Sequence, residues 1–188
     1  MIRYAAGEAA GSALPPRGYI EGRGLAGRLV LPLTRWLRAV HAERYIGAGE
    51  RLLDIGCGDG YFLRRQRIGE RIGLDKRLGD EVTDRLDFPD DHFDHVTMLA
   101  VIEHIAEPGP IVAEIHRVLK PGRRFVFTTP KRSAEVLIRL YARDIEEEHE
   151  TYFDLARVRA LAGERFELTG HHSFILGLNQ AFCLTALK

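Results

Sequence analysis

The sequence holds very little cysteine: Cys57 and Cys183 are the only two among 188 residues. Two thiols so far apart exclude a disulfide framework and lead us to expect a reducing, cytoplasmic compartment. Long apolar runs are missing too, and nothing approaches the roughly 18 residues that a membrane span requires. Residues 1–10 include Glu8 and lack an apolar core, which argues against a secretory signal. Net charge is absent as well. The 27 basic and 27 acidic side chains cancel, which argues against a protein built to coat nucleic acid.

What is present fits one ordinary domain, with 45% apolar and 29% charged residues. The length is enough to bury a core without staples. The charge is unevenly spread, since residues 1–47 hold seven arginines against three glutamates. This part reads as an arm and a helix that could cover the rest, residues 48–188. Residues 1–24, rich in Gly, Ala and Pro, predict a loose arm. Leu25, Leu29, Leu33, Leu37 and Val40 then recur at a helical spacing. Pro32 should break it, so a helix is predicted from Leu33 to Tyr45, ended by Gly47 and Gly49.

After Glu50 short apolar runs alternate with helical stretches. The runs are 51–55, 71–75, 95–99 and 125–129, and the clearest helix is 110–119, opened by Pro110 and stopped by Pro121-Gly122. This alternation predicts an α/β fold with a doubly wound, mostly parallel sheet. Residues 166–170 and 181–187 are too close for another crossover and predict a C-terminal antiparallel hairpin. One link is irregular. A third strand should fall near Asp80–Asp84, yet only Lys76 to Gly79 separates it from the second, too few for a helix.

The chemistry concentrates at Leu53-Asp54-Ile55-Gly56-Cys57-Gly58-Asp59-Gly60, a strand followed by a glycine-rich turn. Such turns bind ligands where a strand ends in a crevice. Asp75 closes the next strand 21 residues after Asp54, where an acid can accept hydrogen bonds from both ribose hydroxyls. The dinucleotide fingerprint G-x-G-x-x-G is not met, because Tyr61 stands at the third glycine. A nicotinamide oxidoreductase is therefore disfavoured. Asp54 beside the turn suits a ligand with an amino group rather than a pyrophosphate.

These residues resemble motif I of the class I S-adenosylmethionine-dependent methyltransferases. The resemblance continues through Ile72-Gly73-Leu74-Asp75, Phe88-Pro89-Asp90-Asp91-His92-Phe93-Asp94, the Glu103-His104 pair, and Glu114 to Gly122. It spans about residues 48–130 and looks closest to the small-molecule enzymes of the methyltransferase-11 type, with their Rossmann-like fold. It implies S-adenosylmethionine as cofactor. Asp54 and the backbone of Gly56, Cys57, Gly58 and Gly60 would hold its methionine end. Asp75, with Lys76 beside it, would grip the ribose. Asp84 would face the adenine amino group next to Leu86, although turn capping is a rival role for Asp84. Met98, Leu99 and Ala100 would line the sulfonium.

The transfer needs alignment more than acid–base help, unless the acceptor is a hydroxyl. His104 and His149 are the histidines placed to act as a base, and residues 131–160 would form a small acceptor lid. Relatives with a metal carry E-x-x-E-H after the fourth strand. Here Ala100 stands at the first position, so no metal is expected. The resemblance leaves a small-molecule methyl acceptor as the partner, with no nucleic acid. A rival is an inactive cofactor-binding homologue that serves as a regulatory subunit.

Overall fold

A computed structural model describes residues 1–5, 25–80, 85–133 and 151–188. Its centre is one seven-stranded sheet. The strands are β1 (Ile2–Tyr4), β2 (Arg51–Ile55), β3 (Glu70–Leu74), β4 (Phe93–Leu99), β5 (Leu119–Pro130), β6 (Phe166–Phe174) and β7 (Asn179–Ala186), in the order β1-β3-β2-β4-β5-β7-β6. The pairs β3–β2, β2–β4 and β4–β5 are parallel, whereas β5–β7 and β7–β6 are antiparallel. The parallel strands are buried on both faces, which is why they read as continuous apolar runs. β2 shows this plainly, with Leu52 through Ile55 all buried. The predicted doubly wound sheet and closing hairpin are both present.

Among the described residues the α-helices are α1 (Leu25–Glu43), α2 (Tyr61–Arg65), α3 (Gly109–Val118) and α4 (Leu155–Ala162). α3 buries Ile111, Val112, Ile115 and Val118 against one sheet face, together with Val96, Met98, Phe125 and Phe127. On the other face Ala39 and Ala42 of α1 pack with Leu52, Leu63, Val126 and Cys183. Both cysteines are buried free thiols. No helix among the described residues is long and apolar enough to cross a membrane.

Two expectations are corrected. The helix predicted from Leu33 begins at Leu25 and runs through Pro32. Pro32 is exposed, so the carbonyl it leaves without a helical partner can be solvated. The arm, read as loose, contributes β1, whose Ile2, Arg3 and Tyr4 pair antiparallel with Gly73, Ile72 and Arg71. β1 thereby takes the edge beside β3, where a third parallel strand was expected near Asp80–Asp84. Residues 81–84 lie outside the described residues. The link after Asp75 is a single 3-10 turn, Lys76–Leu78, closed by Gly79 at a φ of 78°. Among the described residues of this link, 76–80, no regular helix forms.

The hairpin strands are longer than expected, because their alternation extends past Gly170 through the register His171↔Phe182 and Phe174↔Asn179.

Candidate cofactor and methyl-transfer site

The site is built where β2, β3 and β4 end. Gly56 turns the chain at a φ of 77°, and a Cβ there would lie 2.2 Å from Val101 Cγ2. Only glycine meets both demands. The Gly56 and Cys57 amides donate to Leu74 O at 2.7 and 3.1 Å, which pins the turn onto the end of β3. Gly58 N–H donates to Asp75 Oδ2 at 2.8 Å. Asp75 Oδ1 accepts from Arg77 N at 2.9 Å, so this acid also caps its own turn. Gly60 opens α2 at a φ of 76°. Parallel pairing sets Asp54 opposite Gly73 and Ile55 opposite Leu74, so the chain passes from Leu74 straight to Asp75. Two buried carboxylates thus flank one glycine turn.

Asp54 is 2% exposed. Its Oδ1 accepts from the Thr97 hydroxyl at 2.7 Å, and among the described residues no cation sits within ion-pair distance of it. Burial pushes its carboxyl up to about 7, against the pull of the Thr97 bond, and the charge of Asp75 adds to the rise. A buried acid in this state gains by meeting a cationic group. Cys57 is different. Its sulfur packs where a Cβ of Gly73 would come within 2.5 Å. Burial, with Asp54 and Asp75 nearby, pushes its thiol up to about 12. That thiol is inert filling rather than a nucleophile.

Several residues that the sequence did not single out complete the turn. Arg35 of α1 makes a short ion pair with Asp59, and its guanidinium lies 4.5 Å from the centre of the Tyr61 ring. Arg64 reaches the Asp59 carboxylate at 3.6 Å. The signal was present in Asp59 and Tyr61, which sit inside the motif. Nothing local pointed to Arg35, 24 residues upstream of Asp59.

The remaining candidates divide. Leu99 and Ala100 are half-buried at the carboxyl end of β4. Ala100 holds a φ of 57°, a left-handed conformation unusual for alanine, and its amide donates to Thr128 O at 2.9 Å. Met98 is fully buried within the α3-side core, and Leu86 belongs to that same core, so their side chains pack inward. Lys76 is exposed beside Asp75. His104 is exposed on the 3-10 turn Ile102–His104 that follows β4. Asp84 and His149 lie outside the described residues, as does 134–150 of the expected lid. The chain leaves β5 at Pro130 and returns at Thr151, whose amide donates to Glu103 O at 3.1 Å beside His104. Among the described residues no cluster of three or more His, Cys, Asp or Glu could hold a metal ion.

A family model described as a methyltransferase domain (Methyltransf_23) matches residues 27–173. The chain belongs to this family. A demethylmenaquinone methyltransferase of Symbiobacterium thermophilum is 31% identical over 118 residues, covering 49% of this chain and 47% of the relative. A ubiquinone biosynthesis O-methyltransferase of Thiobacillus denitrificans is 29% identical over 110 residues, 47% of each. The chain thus spans about half the length of the curated relatives it matches. Among solved structures, a chain from the complex between the Haloferax volcanii Trm112 methyltransferase activator and a methyltransferase superposes with a TM-score of 0.68. That match has 21% identity and covers 86% of this chain and 95% of the other. The fold is that of the class I S-adenosylmethionine-dependent methyltransferases, and S-adenosylmethionine is the family's cofactor.

The site fits that cofactor. The buried Asp54 carboxylate, with no ion-pair partner among the described residues, matches an amino group, and the cramped glycine turn admits close backbone approach.

Proposed function

We propose that this chain transfers the methyl group of S-adenosylmethionine to a small-molecule acceptor. The observation that carries this reading is the carboxylate pair, Asp54 and Asp75, held at adjacent strand ends around the Gly56–Gly60 turn. Asp54 would receive the cofactor's ammonium, and Asp75 would accept from the ribose hydroxyls. The cofactor supplies an activated methyl on a sulfonium. The chain's own part is to align the acceptor and keep water out.

The acceptor would approach over Leu99 and Ala100, where the strained backbone marks the end of β4. His104 and His149 are the candidate bases for a hydroxyl acceptor. The curated relatives are named for quinone substrates, so a hydroquinone ring is the first acceptor to try. Both buried free thiols suit a reducing cytoplasm.

Calorimetry with S-adenosylmethionine and with NAD tests the cofactor. Asp75→Asn keeps one acceptor oxygen and should weaken S-adenosylmethionine binding about tenfold or more. Unchanged affinity would overturn the ribose assignment. Transfer of labelled methyl to a soluble naphthohydroquinone then separates enzyme from inactive homologue. His104→Ala should slow that transfer without changing cofactor affinity.

A further inference from the structure

α1 lies across the sheet and is fastened at two places. At one, Arg35 grips Asp59 and Tyr61 of the glycine turn. At the other, His41 Nδ1 is 2.7 Å from His172 Nε2, and the Tyr45 hydroxyl is 2.8 Å from His172 Nδ1. The His41 ring stacks on Phe174 with centroids 4.2 Å apart. The fit beside it is tight, since a Cβ at Gly170 would come within 2.4 Å of the Tyr45 ring. The second fastening joins α1 to β6, and nothing in the methyl-transfer chemistry uses it.

We propose that the His41–His172–Tyr45 chain is a proton-sensitive latch that holds α1 on the sheet and, through Arg35, holds the glycine turn in its cofactor-ready form.

The hydrogen count carries the argument. With both imidazoles neutral, Tyr45 O–H donates to His172 Nδ1, and His172 Nε2–H donates to His41 Nδ1, so every contact has one hydrogen. One added proton can be placed on His41 by reversing the chain: His41 Nδ1–H donates to His172 Nε2, and His172 Nδ1–H donates to the Tyr45 oxygen. A second proton cannot be placed, because two N–H groups would then face each other at 2.7 Å.

The surroundings oppose even the first proton. Burial, then the Arg44 charge, holds His41 below the usual histidine value. Burial does the same to His172, followed by His41, Arg44 and His171. Arg38 on α1 is turned to Asn179 of β7. Arg124 of β5 donates to Tyr45 O at 2.9 Å. Cys183 of β7 is a buried thiol raised by its burial. Beneath the turn after α1, burial also lowers the histidine on β4, His95. The carboxylate on this part of α1, Glu43, is already bound by Arg65 at 2.8 Å. Among the described residues, no acid is paired with either latch histidine.

The sign follows. A base whose docked value is depressed supports docking fully above its undocked value, near 6.5, and loses that support as pH falls below it. Acidification below about 6.5 therefore releases α1, and Arg35 leaves Asp59 with it.

Trp36, the single tryptophan of the chain, sits on α1 between the two fastenings. The test follows Trp36 emission and the hydrogen exchange of α1 amides, corrected for intrinsic rates, between pH 8 and 5 in the full chain. His172→Gln keeps a donor and an acceptor but cannot titrate, and His41→Phe keeps the stack on Phe174. In the native chain α1 protection should fall about tenfold per pH unit below the histidine value, with a matching change in Trp36 emission. In His172→Gln, where His41 alone of the pair still titrates, the fall should be shallower than in the native chain. The latch is overturned if native α1 protection is flat across this range. It is also overturned if both variants, with native circular dichroism at pH 8, lose protection as the native chain does. The link to the cofactor turn rests on the proposed function, and calorimetry at pH 8 separates the two readings. If S-adenosylmethionine fails to bind at pH 8, where the latch is closed, the cofactor reading fails and the α1 result stands alone.

Discussion

Asp54 carries two opposing duties. Its ionised form is desolvated and has no ion-pair partner among the described residues, and burial raises it to about 7 against the weaker pull of the Thr97 bond and the Arg35 charge. Binding of an ammonium restores the ordinary ionisation. Between the usual carboxylate value and about 7, cofactor binding should therefore expel a proton from Asp54, and affinity should fall as pH falls through about 7. Calorimetry in two buffers of different ionisation enthalpy reads that proton. Asp54→Asn should abolish the release and weaken the cofactor by about tenfold or more. The same change should raise the melting temperature measured without added cofactor above pH 7, because a neutral amide can accept from Thr97 without a charge to desolvate. The place of Asp54 at a strand end beside the glycine turn was legible in the sequence, because both lie in one local run of residues. The clamp on Asp59 was not, because an ion pair to Arg35 needs α1 to be laid over the turn, and no local pattern encodes that.

At the scale of elements, α3 is tied to the loop ahead of β4 by one side chain. Arg117 donates to Leu86 O and Phe88 O at 2.8 Å each and pairs with Asp90 at 2.7 Å and Glu114 at 2.8 Å. Glu114 in turn accepts from Leu86 N at 2.9 Å. This explains the spacing of Glu114 and Arg117 within the family motif: three residues on a helix place both on one face. A lysine has one charged head and cannot reach four acceptors in a plane. Arg117→Lys should cost about 1–3 kcal/mol by denaturant unfolding, with cofactor affinity changed less than stability. α3 and the parallel strands were readable because periodicity and caps are local. α1 was truncated in the reading because Pro32 is a strong local stop, and packing of Ala39 and Ala42 on the sheet overrides it.

For the molecule as a whole, the sheet is anchored at its amino ends by Asp94. Its Oδ2 accepts from the amides of Glu50 at 2.8 Å and Arg51 at 3.1 Å. Its other oxygen meets Lys120 at 3.1 Å and Arg123 at 3.3 Å. Burial alone would raise this carboxyl, but the two amides and the lysine outweigh it and hold it below the usual range. A depressed acid supports the fold above its unfolded value, near 3.9, and that support is lost as pH falls through the folded value. Asp94→Asn should cost about 1–3 kcal/mol near neutral pH and flatten the acid limb of the stability curve, followed by urea midpoints from pH 7 to 3.

The edge strand β1 has a kinetic meaning. It joins Ile2 to Gly73 and Tyr4 to Arg71, so three residues must close a loop of some seventy. Closing such a loop costs about 4 kcal/mol in chain entropy beyond the constant term, against backbone bonds worth about 1 kcal/mol each. The ladder repays that cost only after β3 is already in its sheet. Refolding followed residue by residue should find the first strand of the chain protected last. Until then the flank of β3 is an open template, and a second, partly folded copy could add its own strand there.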